Sequence, residues 1–188
     1  MAALTFQEEG HKYFLDGTEL PSVTTLLSDA GYIDKRWFKE NDAIKGKRRH
    51  KATELMDQGI LDWTTVAEAD MPYLEAWIKA KEELGIEIEE CERFVYHPLL
   101  RYAGTIDRLA MVKGRPYVID LKGGTELRWH QLQLILYGLM VEHDGELPGL
   151  MDVYLSAQGS YKHRIHDYSN KPYALAAVRV WVWKNRLK

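Results

Sequence analysis

The spacing of apolar and polar residues divides the chain into a helical N-terminal part and a strand-rich remainder. Within residues 71–85, apolar residues recur at helical spacing, and Gly85 predicts the end of that helix. Residues 86–98 begin instead with Ile86 and Ile88 separated by glutamates, and this alternation predicts a strand. The change of period near residue 85 therefore predicts the start of a sheet.

The same criteria place the other elements. Asp16 and Gly17 form a turn signal that predicts an N-terminal hairpin. Further helices are predicted over residues 21–31, 43–59 and 127–143 and from residue 170 onward, and further strands over residues 102–112, 116–122, 151–157 and 161–168. The order helix, three strands, helix, strand predicts an α/β (α+β) fold with a mixed sheet flanked by helices. The N-terminal hairpin and helices would form a roof over this sheet.

The composition fits one folded domain and excludes several kinds of site. The chain has 188 residues, 46% of them hydrophobic, and we expect one domain with an N-terminal part (1–85) and a sheet core (86–188). The single cysteine, Cys91, excludes an internal disulfide, an all-cysteine zinc site and a cysteine-ligated iron–sulfur cluster. Neither a signal peptide nor a run of about 18 apolar residues occurs, so we expect a soluble, cytoplasmic protein without a membrane partner.

Acidic and basic residues interrupt two consecutive predicted strands. Asp120 and Lys122 are two residues apart and therefore share one face of their strand, whereas Asp107 is the lone acid of the preceding strand. If the strands pair, Asp107 and Asp120 converge, and two close carboxylates repel each other unless a cation lies between them. Mg²⁺ is bound by such carboxylates. Alone, however, the Asp-x-Lys spacing is typical of an ordinary ion pair at a strand end.

Four further polar residues lie on neighbouring predicted elements. Glu92 belongs to the strand before Asp107, and His50 lies on the second helix, one turn after Gly46. Gln133 and Tyr137 share one face of an apolar helix, where buried polar groups need partners. Each has a simpler interpretation, as an exposed glutamate, a surface histidine or the edge of an amphipathic helix. Only their combination suggests a site.

In this order, the residues resemble the motifs of the PD-(D/E)XK nuclease superfamily, and particularly its RecB-like and phage exonuclease branch, which includes the mitochondrial genome maintenance exonuclease. The matching motifs are Gly-x-x-x-His (Gly46, His50), a strand glutamate (Glu92), Gly-x-x-Asp (Gly104, Asp107), Asp-x-Lys (Asp120, Lys122) and Gln-x-x-x-Tyr (Gln133, Tyr137). The resemblance extends over residues 11–140. One departure is Gly123, because members of the group often have threonine after the lysine.

The resemblance implies a restriction-endonuclease-like sheet and Mg²⁺-dependent hydrolysis of DNA phosphodiesters, with Mn²⁺ able to substitute for Mg²⁺. Asp107 and Asp120 would be the principal metal ligands, helped by the backbone carbonyl of Leu121. Glu92 and His50 would complete one or two ion positions. Lys122 would orient or activate water. Gln133 would steady Lys122 or the scissile phosphate, and Tyr137 would contact the DNA strand.

A basic run gives this resemblance a candidate DNA surface. The net charge is −3, so a nucleic-acid surface must be a local patch. The cations of residues 45–51 that flank His50 could guide phosphates to the metal, and Trp129 could stack on a base; the alternatives are a solvated helix face and a tryptophan at the core edge. The candidate cations are Lys45, Lys47, Arg48 and Arg49.

A roof over the sheet would make the site a covered channel. Because a strand must be threaded into such a channel from an end, we expect an exonuclease, with a slight preference for single strands. The expected setting is DNA recombination, repair or processing in a bacterium or phage-infected host, where a single-strand annealing or recombination protein is a candidate partner. Two alternatives remain open. A site- or structure-specific endonuclease of the same fold would cut closed circular DNA, and an inactive DNA-binding or assembly module would bind DNA without cutting it.

Overall fold

The computed structural model describes residues 3–34, 40–142 and 145–185. An N-terminal sheet is formed by β1 (Leu4–Gln7), β2 (Lys12–Leu15) and β3 (Thr18–Leu20), in that order. Asp16 and Gly17 both have positive φ, 50° and 79°, as a type I′ hairpin turn requires. The predicted hairpin is therefore confirmed, and β1 is an additional strand that the sequence pattern did not indicate.

The described residues form five α-helices in the predicted order. They are α1 (Val23–Asp29), α2 (Glu40–Asp57), α3 (Met71–Leu84), α4 (Arg128–Met140) and α5 (Lys171–Asn185). The hydroxyl of Ser22 accepts a 3.0 Å hydrogen bond from the Thr25 N–H and caps α1, while Gly85 ends α3 in a left-handed conformation. Within the described part of the chain, no helix is both long and apolar enough to span a bilayer. Residue 143, in the predicted fourth helix, lies outside the described residues.

The central sheet contains five strands. They are β4 (Ile86–His97), β5 (Tyr102–Val112), β6 (Arg115–Lys122), β7 (Gly149–Leu155) and β8 (Tyr161–His166), in the order β4-β5-β6-β7-β8. β6 and β7 are parallel, and the other neighbouring pairs are antiparallel. The connection between the parallel strands contains α4, as a crossover requires. The predicted mixed sheet flanked by helices is confirmed.

Helices cover both faces of this sheet, which therefore has two apolar cores. On one face, α3 packs against a cluster that includes Ile119 and Leu121. On the other, α1, α4 and α5 pack against a cluster that includes Val118. Ile119 and Leu121 thus face the core beneath α3. Asp120 projects from the same strand and is only 3% exposed, so the structure buries its carboxylate instead of leaving it at an open strand end.

Gly104 explains how α4 approaches the sheet so closely. A Cβ atom added at Gly104 would lie 2.6 Å from Cε1 of Tyr137, a separation that side chains do not tolerate. The glycine of the Gly-x-x-Asp motif therefore makes room for the tyrosine of the Gln-x-x-x-Tyr motif. This packing brings Gln133, one turn earlier on α4, to the end of β6.

Candidate active site

The strands β5 and β6 stop pairing where their acidic residues begin. Their antiparallel ladder reaches Arg108 opposite Ile119, and the next backbone donor, the Leu121 N–H, binds Oδ2 of Asp107 at 2.9 Å. A carboxylate thus takes the place of a strand partner. Because a strand residue directs its N–H and C=O to the same side, the Leu121 carbonyl also faces β5. It therefore lies on the side of Asp107, and its role as a metal ligand stays a prediction.

A three-residue cluster surrounds Asp107. Nδ1 of His50, on α2, lies 3.4 Å from Oδ2 of Asp107. One ligand atom from each of His50, Glu92 and Asp107 lies within 4.8 Å of the others. Glu92 has a φ of 49°, in the left-handed region that a non-glycine strand residue rarely adopts. Such local strain is typical of functional sites.

The electrostatics of this cluster favour a bound cation. Burial, followed by repulsion from Asp107, raises the pKa of Glu92 to about 8. The Glu92 and Asp107 carboxylates are therefore so close that charging both costs free energy. A cation between them would remove that repulsion.

Asp120 and Lys122 lie beside the cluster as a buried pair. Nζ of Lys122 is 2.5 Å from Oδ2 of Asp120 and donates a 2.8 Å hydrogen bond to Oε1 of Gln133. Burial raises the pKa of the Asp120 carboxyl. For Lys122, burial disfavours the ammonium, but the Asp120 and Asp107 carboxylates outweigh it and raise its pKa. Lys122 therefore remains a cation at the end of β6.

The donor set fits a divalent metal ion. Carboxylate oxygens suit hard cations, and neutral imidazole suits the divalent transition metals. Among the described residues, Oδ2 of Asp120 has no directed hydrogen-bond donor, despite the closeness of Lys122. Lys122 supplies positive charge to this oxygen, and a metal ion would be a second cation beside it. His50, Glu92, Asp107 and Asp120 could therefore hold a metal between them.

The sequence pattern of the PD-(D/E)XK nuclease superfamily matches residues 21–179, most of the chain. The chain belongs to this superfamily. The resemblance found in the motifs is thereby confirmed at the level of the superfamily. PD-(D/E)XK nucleases use divalent metal ions, and the histidine, glutamate and aspartate of this nuclease form a cluster that fits one.

Comparison with solved structures supports the fold. A candidate exonuclease from Eubacterium rectale has a similar structure, with a TM-score of 0.56, 15% identity, and coverage of 88% of this chain and 81% of that one. An alkaline exonuclease from Laribacter hongkongensis gives a TM-score of 0.46 at 10% identity, over 88% and 87% of the two chains. A search of the curated proteins finds no significant match.

Tyr137 supports the candidate site from within the protein. Its hydroxyl accepts a 3.2 Å hydrogen bond from Nε2 of Gln133, and the side chain is only 6% exposed. In this position the phenol orients the amide that holds Lys122. Its contact with a DNA strand stays a prediction. The contact that the structure shows is the one that positions the Gln133 amide.

The basic run on α2 is only partly free for DNA. Arg48 and Arg49 both form ion pairs with the buried Asp70, and the Arg49 guanidinium lies 3.5 Å from the centre of the Tyr73 ring. The other two candidate cations, Lys45 and Lys47, are exposed. Arg49 also lines a narrow cleft that contains His50 and Lys122. The arginines thus fix α2 beside the site, and their contact with DNA remains a prediction.

Two buried charged residues near the site were not singled out from the sequence. Arg108 follows Asp107, and its Nε lies 2.7 Å from Oδ2 of Asp57. Asp152 lies beside Asp120 in the parallel β6–β7 register, and its Oδ2 is 2.7 Å from Nε2 of His166. A charged residue inside an apolar strand pattern, such as Asp152 in "MDVYL", was the available signal for both.

Proposed function

We propose that this protein is a Mg²⁺-dependent deoxyribonuclease that removes nucleotides from free DNA ends. One observation carries the proposal: Asp107, Asp120 and Lys122, from two strands, meet Gln133 of α4 at the place where those strands separate. Together with the adjacent His50 and Glu92, this arrangement supplies metal ligands and a fixed cation at one point.

We assign different residues to metal binding, to contact with phosphate or water, and to positioning. Asp107 and Asp120, with the Leu121 carbonyl, Glu92 and His50, would hold the metal. A bound divalent ion stabilises negative charge on phosphate oxygens and lowers the pKa of water. Lys122, held by Gln133 at 2.8 Å, presents its ammonium to a phosphate or to the attacking water. Tyr137 fixes the Gln133 amide, so the lysine is oriented before the substrate arrives.

Support for action at a DNA end comes from the position of α2. This helix contributes His50 to the cluster and borders, with β6, a cleft of only about 40 Å³ lined by Gly46, His50 and Lys122. A space of this size is comparable to one water molecule, so it does not itself distinguish one strand from two. The preference for an end rests on the cover that α2 gives to the cluster, because a free end enters a covered site more easily than an internal segment does. The similarity in fold to the candidate exonuclease from Eubacterium rectale agrees with this preference.

The decisive experiment compares DNA with and without ends. End-labelled linear DNA, single- and double-stranded, and a covalently closed circle of the same sequence are incubated with the protein in Mg²⁺, in Mn²⁺ and in EDTA. We expect the linear forms to shorten in Mg²⁺ or Mn²⁺, the single strand slightly faster, while the circle stays intact. The Asp120→Asn protein should leave every substrate uncut.

Other outcomes would assign a different function. Cutting of the closed circle, or discrete bands from one sequence, would replace the exonuclease with an endonuclease of the same fold. Binding without cutting in either metal would indicate an inactive DNA-binding module. An exonuclease of the RecB-like branch would act in recombination, repair or end processing, in a bacterial or phage-infected cytoplasm and with a single-strand annealing protein as candidate partner.

A further inference from the structure

A groove next to the candidate active site has a composition of its own. It has a volume of about 710 Å³ and lies where the start of α4 meets β8, the start of α5 and the segment after α1. Its main lining side chains are aromatic, apolar or basic: Tyr32, Leu127, Arg128, Trp129, Arg164 and Tyr173. Its lining does not include the candidate metal ligands, Lys122 or Gln133.

Trp129 joins the groove to the active site. Its ring is one wall of the groove, and the Nζ atom of Lys122 lies 5.3 Å from the ring centre. On the far side, a second hollow of about 510 Å³ shares Arg164 and His166 with the groove and continues along β8. A chain-like ligand whose phosphate contacts Lys122 could therefore extend directly into the groove.

The exposed aromatic rings indicate what such a ligand would present. Tyr173 is 60% exposed and Tyr32 is 37% exposed, so both rings offer surface to a partner. Aromatic rings exposed beside arginines are the usual means of binding unpaired nucleobases and their phosphates. Arg164 is 3.4 Å from Glu126 in an exposed ion pair, which a phosphate could replace at little cost. Arg128 is exposed on the opposite wall.

The polar base of the groove is already ordered. Nδ2 of Asn170 donates a 2.7 Å hydrogen bond to Oε1 of Gln131, whose own Nε2 donates at 3.2 Å to the Asp167 carbonyl. These bonds connect α4 to the segment between β8 and α5 at the groove. The walls are therefore held at a fixed separation, and a ligand would not have to order them.

We propose that this groove binds about one or two unpaired bases of a single DNA strand, next to the scissile phosphate at Lys122. Tyr173 and Tyr32 supply stacking surfaces, while Arg128 and Arg164 neutralise the phosphates of the same segment. The volume of about 710 Å³ lies within the range of small-ligand sites, about 300–1,000 Å³, which suits one or two bases. The inference rests on the proposed nuclease function, because the groove would bind the same strand that the active site would cut.

Binding to a series of abasic strands tests the groove directly. Each fluorescent single-stranded oligonucleotide lacks one base but keeps its phosphate, and binding is measured with Ca²⁺ in place of Mg²⁺, with a gel to verify that the strand stays intact. In the wild-type protein, loss of the base at one or two adjacent positions should weaken binding about 5- to 150-fold, the range of base–aromatic stacking. In Tyr173→Ala or Tyr32→Ala, the same base should no longer contribute.

Trp183→Ala is the matched control, since Trp183 is an exposed aromatic residue on the same helix as Tyr173, 74% exposed and not among the lining residues. It should retain the full abasic effect. The proposal is wrong if no position shows an effect, or if neither tyrosine variant differs from this control. Cleavage of the same strands in Mg²⁺ is scored separately. If the abasic effect depends on the tyrosines but no strand is cleaved, only the proposed nuclease function is wrong. If the strands are cleaved but the abasic effect does not depend on the tyrosines, only the proposed role of the groove is wrong.

Discussion

Arg108 and Asp57 form an ion pair in which both side chains are completely buried, with Nε 2.7 Å from Oδ2. The same guanidinium donates to Oγ1 of Thr53 at 3.1 Å and to the carbonyl of Asp107 at 2.6 Å. These bonds attach α2 to β5 directly beside the metal cluster. Because His50 is on α2 and Asp107 precedes Arg108, the pair sets the distance between two candidate ligands.

We predict that Asp57→Asn lowers the free energy of unfolding by about 3–5 kcal/mol, because it removes the nearer anion of the buried Arg108 guanidinium and leaves it only Glu92, at 3.3 Å. Urea denaturation would measure the loss. The matched control is Glu19→Gln, which removes the acid of the exposed Lys12–Glu19 pair and should cost at most about 1 kcal/mol. Equal effects of the two changes would show that the buried pair does not fasten α2.

The elements of the fold could be predicted because their signals are local. The positive-φ turn at Asp16 and Gly17, the Ser22 cap and the helix end at Gly85 each depend on neighbours within a few residues. The period change at Ile86 likewise marks a strand that the structure contains. The short strand β1 was missed because four residues carry too little pattern.

Contacts between distant residues could not be predicted in this way. Asp57, the partner of Arg108, is 51 residues away in the sequence, so the strand pattern could mark Arg108 as a charge among apolar residues but could not name its partner. Arg48 and Arg49 looked like a solvated or DNA-binding run, yet both pair with Asp70, 22 and 21 residues away. The left-handed backbone of Glu92 follows from the sheet around it and has no signal in the sequence.

A second prediction concerns pH. Burial and Asp107 raise the pKa of Glu92 from an ordinary 4.5 to about 8. Between these values this carboxyl holds more protons in the metal-free folded protein than in the unfolded chain, so its contribution to the free energy of unfolding falls as pH rises. Glu92→Gln cannot titrate and should flatten this part of the profile, as measured by urea denaturation in EDTA at about pH 5, 7 and 8.5.

The metal should reverse that trend, because its binding requires the deprotonated carboxylate. We therefore expect Mg²⁺ to raise the melting temperature more at about pH 8.5 than at about pH 6 in the wild type, and little at either pH in Glu92→Gln. Glu87→Gln, an exposed change on the same strand, should behave like the wild type. A Glu92→Gln protein with the wild-type pH profile would contradict the assigned shift.

A third prediction separates stability from activity at Gly46. A Cβ atom added there meets no described atom within 4 Å, and glycine in a helix interior costs about 0.5–1 kcal/mol relative to alanine. Gly46→Ala should therefore raise the free energy of unfolding by that amount. The same methyl group would project toward the cleft shared by His50 and Lys122, so DNA cleavage should become slower. A rise in both stability and turnover would show that the substrate does not use this space.

The last prediction assigns Lys122 to the chemical step. Its ammonium is fixed by Asp120 at 2.5 Å and by Gln133 at 2.8 Å, so it can stabilise charge that develops on a phosphate more strongly than charge in the bound substrate. Lys122→Met keeps most of the side-chain volume. We expect it to lower kcat about 100- to 1,000-fold, as loss of a preorganised transition-state donor does, while DNA affinity changes only a few-fold.

Two further measurements distinguish this role from a structural one. The rise in melting temperature on addition of Mg²⁺ should persist in Lys122→Met, because lysine is not a metal ligand. Lys162→Met, a matched change at an exposed lysine on β8, should leave kcat unaltered. If Lys122→Met instead loses affinity, stability and turnover together, the lysine serves chiefly to neutralise the buried Asp120, and the activation of water must then be assigned to another group of the site.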